Sequence, residues 1–239
     1  MSVTSHLAIV TPTEWEAIRL SLVVAVTAVI VLLIPGIVVA WALARRRFPG
    51  HVAIDAVVHL PLVLPPVAIG YLLLVLLAPN GVIGGALQSW FGWEIPFTWF
   101  AAVIASATMS FPLLVRSARL GFEGVDPGLE EAAGTLGASG WRVFRTITLP
   151  LASPGILAGS VLAFARSLGE FGATIMIAGN IAGETRTLPL AIFTEAQTPG
   201  EPDSPLIRLV VLSVLLSLGA LVVSELFARR LRRRIGGRP

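Results

Sequence analysis

The chain has 239 residues, of which 55% are hydrophobic and only 13% charged, with a formal net charge of +3; soluble domains carry about a quarter charged residues, so this composition belongs to the membrane class. All 17 basic residues are arginine, which excludes a GxxxxGK[ST] phosphate loop and a lysine Schiff base, and the absence of cysteine excludes a disulfide, a thiolate nucleophile and a cysteine-ligated metal. His6, His51 and His59 have no paired-ligand spacing, so no metal and no cofactor is expected, and the energy source for any work lies elsewhere.

In chain order, the first apolar run is Ile18–Ala44, interrupted by Pro35-Gly36 and followed by Arg45, Arg46 and Arg47. The second is Leu62–Ala78, with Pro61, Pro65 and Pro66 crowding its start; the third is Thr98–Val115, with Pro112 late in it. Each is near the ~20 residues that cross a hydrocarbon core as a helix. The runs lack the two-residue alternation of barrel strands. The prolines kink helices and serve either ordinary bundle packing or the shaping of a pathway.

A polar loop, about Ser117–Pro150, follows. Asp126 is placed to cap a helix that begins at Pro127. Leu129, Ala132, Ala133 and Leu136 share one face, with Glu130 and Glu131 off that stripe. Gly137 fits the left-handed position that ends such a helix. Ser139 is expected to cap a second helix, with Trp141, Phe144 and Ile147 on one side, Arg142 and Arg145 elsewhere, and a stop at Leu149-Pro150. The product is a two-helix knob that either lies on the bilayer surface or docks into a partner.

The fourth run, Gly155–Ala178, contains Arg166 and Glu170 at helical i, i+4 spacing. Charges at membrane depth are costly and face protein or water. Ser167, Gly169 and Gly172 allow helices to approach closely. The pair either locks helices together or, with Ser167, Phe171 and Gly172, lines or gates a path in which Arg166 meets an oxyanion. The outer loop Gly179–Pro205 holds Glu184-Thr185-Arg186-Thr187, read as a contact for an external binding protein or as a plain solvated loop. The fifth run is Leu206–Ala228, ending in Arg229, Arg230, Arg232, Arg233, Arg234 and Arg238.

Most arginines fall in alternate loops: after the first run, in the polar loop (Arg116, Arg119, Arg142, Arg145) and after the fifth. Positive charge marks the cytoplasmic side. Glu14, Glu16, Glu94, Glu184, Glu195, Glu201 and Asp203 then lie outside, as does the N-terminus, with the C-terminus inside. No basic segment precedes the first run, so it reads as an anchor rather than a cleavable signal. The terminal arginines read as a topology determinant attracted to anionic lipid, not as a nucleic-acid site. The expectation is an all-α integral membrane protein, one transmembrane domain over 1–239 with five spans.

The segment EAAGTLGASGWRVFRTITLP resembles the EAA-x3-G-x9-I-x-LP signature of bacterial ABC importer permeases. Glu131, Ala132, Ala133, Gly137, Ile147, Leu149 and Pro150 stand at all of its fixed positions. The resemblance implies a five-helix MetI-like permease core. It also implies that Glu130, Trp141 and Arg142, with the signature residues, couple to a separate ATPase that supplies the missing phosphate loop. The runs His59–Leu74, Phe164–Asn180 and Gly183–Gly200 resemble the molybdate branch of that family. This implies a homodimer of permease subunits, two cytoplasmic ATPases, a periplasmic or lipid-anchored oxyanion-binding protein, and import of molybdate or tungstate across the bacterial inner membrane. A sulfate or thiosulfate permease, which shares the Glu170-Phe171-Gly172 run, is the nearest rival. An ion-driven secondary transporter would be expected to carry an inverted repeat, and none is detected. A membrane-embedded enzyme would need a carboxylate or serine constellation, which is not found.

Overall fold

The computed structural model describes residues 11–46, 49–198 and 204–235, and these are helical with short connections. Arg47, Glu201, Asp203, Arg238 and His6, used above, lie outside the described residues.

Helix α1 (Pro12–Arg45) starts earlier than the apolar pattern, because Thr11 and Glu14 form a reciprocal capping box ahead of it. The expected interruption at Pro35-Gly36 does not occur, and the helix runs through it without a break. Gly36 instead lets α5 (Trp99–Glu123) in: a Cβ there would lie 2.6 Å from Leu114 Cδ2. Thr98 caps α5, accepting the Ala101 N–H.

The second run is not one span from Leu62. It forms α2 (His51–Val63) and α3 (Pro66–Leu77), bent by 115°. Pro65 forces Leu64 out of the helical region, to ψ 145°. Alone, the 12 residues of α3 reach only about 18 Å. An unforeseen helix α4 (Val82–Phe91) packs back on it. Arg119 ties α2 to α5 by reaching Asp55 at 3.2 Å and Glu123 at 2.8 Å.

The polar loop contains α6 (Pro127–Thr135) and α7 (Gly140–Val143). The expected stop at Leu149-Pro150 is wrong. A π-helical turn, Phe144–Thr148, carries α7 directly into α8 (Leu149–Leu168), so the fourth span extends back to Gly140. The wider turn gives the Pro150 ring room against the preceding carbonyls. The fourth run also breaks at Gly169-Glu170-Phe171, and α9 (Gly172–Ala178) follows. The connection between the fourth and fifth runs contains α10 (Leu188–Ala196), and α11 (Ser204–Ile235) carries the fifth run.

Among the described residues four helices are long and apolar enough to cross a membrane, or five if the bent α2–α3 pair counts as one span. The core is centred on α5, which packs between α1 and α8. Glycine governs the closest crossings: a Cβ on Gly155 would lie 2.6 Å from Gly121 Cα, and one on Gly70 would lie 2.6 Å from the Ala173 carbonyl oxygen. Small residues at such seams let membrane helices meet backbone to backbone. Ile30, Ile34, Leu215 and Leu218 are exposed on α1 and α11, where hydrocarbon rather than water is the natural solvent. Arg208 Nε and Nη2 both reach Glu14 Oε1, at 2.8 and 2.7 Å, tying the starts of α11 and α1.

Candidate functional site

The knob is built by its own caps. Asp126 Oδ1 accepts the Gly128 N–H at 2.8 Å and Pro127 occupies the first turn of α6. At the other end Gly137 adopts φ +86°, the Ala138 N–H reaches the Ala133 carbonyl at 3.1 Å, and the Gly137 N–H reaches that of Gly134 at 3.0 Å. This double bond pattern is a Schellman motif. Ser139 occupies the cap position of α7 but makes no side-chain capping bond, contrary to expectation.

Among the described residues, most of the apolar stripe is left exposed. Leu136 is 88% exposed and Trp141 70%, and Leu129 is exposed beside them. Glu131, Ala132, Gly137, Arg142 and Pro150 are also exposed, while Ala133, Ile147 and Leu149 are half-buried. Glu130 differs from its neighbour. Its Oε1 accepts from Thr148 Oγ1 at 2.5 Å and lies 3.3 Å from Arg45 Nη2. By sequence Arg45 reads as a topology charge and Thr148 falls between two fixed positions of the signature; no periodicity joins them, since the contact spans three elements.

Arg166 and Glu170 do pair, Nη1 to Oε2 at 2.7 Å, but not in mid-helix. Glu170 sits in the break between α8 and α9, where its Oε1 accepts the Ala173 N–H at 2.8 Å. The carboxylate thus serves the positive end of α9 and a guanidinium at once. Glu170 is fully buried, while the Arg166 side chain is 30% exposed. Ser167 faces inward and donates to Ser110 Oγ at 3.2 Å, which makes it part of the α5–α8 seam. Phe171 packs on Phe193, with ring centroids 4.9 Å apart. Gly172 permits α3 to approach: its Cβ would lie 2.8 Å from Pro66 Cβ.

The outer run Glu184–Thr187 is not an open loop. Thr185 is buried and its Oγ1 accepts the Ile181 N–H at 2.9 Å. Thr187 is buried at the start of α10, whose Leu188 N–H donates to Ser21 Oγ at 2.7 Å. The reading of Thr185 and Thr187 as surface contacts is therefore corrected: their hydroxyls point into the fold. Glu184 is exposed, and half-buried Arg186 donates from Nε to Asn180 Oδ1 at 2.9 Å.

Known proteins resemble this chain in sequence and in fold. The Molybdenum transport system permease protein ModB of Escherichia coli (strain K12) is 56% identical over 228 residues, covering 95% of this chain and 99% of that protein. The Haemophilus influenzae ModB protein is 55% identical over 223 residues, covering 93% and 97%. The Sulfate transport system permease protein CysT of E. coli (strain K12) is 41% identical over 197 residues, covering 82% and 71%. Among solved structures, a bacterial ABC transporter involved in import of the acidic polysaccharide alginate aligns with a TM-score of 0.71 at 20% identity, covering 95% of this chain and 81% of that one. At that identity the likeness establishes the fold, that of ABC importer permeases. Residues 33–233 match the family described as binding-protein-dependent transport system inner membrane component. With a family match over most of its length and relatives more than half identical to it, this chain belongs to that family of multi-pass inner-membrane transport permeases.

Proposed function

We propose that the chain is the transmembrane subunit of an ATP-driven importer of molybdate or the closely similar tungstate, acting as one permease domain and pairing with a second copy around a central path. The observation that carries the cargo assignment is the identity margin, 56% to a molybdenum permease against 41% to a sulfate permease. Docking to a separate ATPase is supported by the signature knob, on which Leu136 and Trp141 are largely exposed. Arg116, Arg119, Arg142 and Arg145 fall in or beside the knob's stretch of sequence and Arg45 reaches Glu130 within it, which supports a cytoplasmic knob and an external N-terminus.

In this reading ATP binding draws two knobs together and opens the path outward. A binding protein, contacted through Glu184 and Arg186, releases its oxyanion, and hydrolysis restores the inward-facing state. The broken helices α3 and α9 pack together, and irregular backbone at membrane depth belongs beside protein or a water-filled path. That supports Arg166 and Glu170 as the gate, with Phe171 and Gly172 shaping it. Reconstitution with the cognate ATPase and binding protein tests the reading. ATPase stimulation is expected with molybdate-loaded binding protein. Stimulation by the sulfate-loaded protein alone would assign the chain to sulfate, and uptake without any ATPase would make it a secondary transporter.

A further inference from the structure

The knob is joined to the membrane body by more than its covalent ends. Arg45, the last residue of α1, donates from Nη2 to the Val125 carbonyl at 2.9 Å, in the turn between α5 and α6. The same nitrogen faces Glu130 Oε1 on α6, which Thr148 Oγ1 also reaches, from the end of the π turn. Four segments thus converge on one guanidinium and one carboxylate. The Arg45 and Glu130 side chains are only 17% and 25% exposed, so the pair is shielded from salt screening. Thr148 is buried, and the i to i+5 bond from the Leu149 N–H to the Phe144 carbonyl sets the turn that carries it. Beside this strap is an aromatic foot. Phe144 lies 5.7 Å from Trp41 on α1 and 6.4 Å from Phe122 on α5, ring centre to ring centre.

We infer that Arg45 and Thr148 are positioning residues that clamp the knob, through Glu130, in fixed register with α1 and α8, so that displacement at the docking face moves the spans instead of flexing the loop. Glu131, next in sequence, stays outward for the partner. The inference rests on the docking role proposed above. Without the clamp, an ATPase would still bind the exposed face, but its stroke would be absorbed between Gly124 and Phe144.

The absence of cysteine makes the test clean. Spin labels on Thr135→Cys, in the knob, and Val38→Cys, on α1, report their separation in the full transporter. The variants are Arg45→Gln, Arg45→Lys and the near-isosteric Thr148→Val. Expected for Arg45→Gln and Thr148→Val are undiminished co-purification of the ATPase, a broadened inter-label distance distribution, and molybdate uptake per ATP lowered about tenfold, the scale of one charge-assisted bond. Arg45→Lys keeps a cation at Glu130 and should restore most of the uptake. Wild-type uptake with an unbroadened distribution in both Arg45→Gln and Thr148→Val would overturn the clamp. Loss of ATPase co-purification in both would also overturn it, since the residues would then belong to the docking face. Failure of the wild-type chain to hold an ATPase would refute the docking role itself, a distinct result.

Discussion

Adjacent glutamates in the knob have opposite environments: Glu130 is drawn inward by Arg45 and Thr148, and Glu131 is left to solvent. A one-residue step on a helix turns a side chain by about 100°, enough to move it from anchor to surface. The same contrast holds at Arg166 and Glu170. Their spacing is helical, yet the carboxylate works at a helix break, holding the Ala173 N–H with one oxygen and facing the guanidinium with the other. Glu170→Gln keeps an acceptor for Ala173 but removes the countercharge of Arg166. We expect a stability loss of about 2 kcal/mol, below the cost of breaking a fully buried pair because Arg166 is partly exposed. Thermal unfolding in detergent measures that loss. Uptake and basal ATPase rate should also change; wild-type values for both would leave the pair a packing feature and end its role as a gate.

Among elements, the knob shows how far local chemistry reaches. Asp126, Pro127 and Gly137 place both ends of α6 where sequence rules put them, because caps act over a few residues. Gly137→Pro is expected to destroy the turn, since proline cannot reach φ +86° and removes the N–H bonded to Gly134. A cost of about 3 kcal/mol or more falls on the knob alone. The permease should therefore remain in the membrane while the ATPase no longer co-purifies with it. A retained, coupled ATPase would show that this turn is not the docking element. Where local rules mislead, a proline's effect depends on its neighbours. Pro35 is absorbed within α1, Pro150 is taken up by a π turn, and the Pro65-Pro66 pair bends its chain segment by 115°.

For the whole molecule, arginine distribution predicts sidedness. Ser139→Cys and Glu184→Cys, both at exposed positions in a chain without native cysteine, should react with a membrane-impermeant thiol reagent from opposite faces. Ser139 should label only in inside-out vesicles and Glu184 only from outside; the reverse result would invert the topology. Apolar runs made the five-span plan legible, because hydrocarbon demands about 20 apolar residues in any spanning helix whatever its neighbours are. The spaced signature pointed to the permease family to which the chain belongs.

Segment hydropathy, cap chemistry, arginine placement and the spaced signature are properties of neighbouring residues, and they were enough for the membrane class and for both ends of α6. The break at Gly169–Phe171, the burial of Thr185 and Thr187, and the Arg45–Glu130–Thr148 contacts were decided only by the packed chain. The last of these brings residues far apart in the sequence together across helices. An α-helix relates only positions three or four apart, so no pattern along the chain could have announced these meetings.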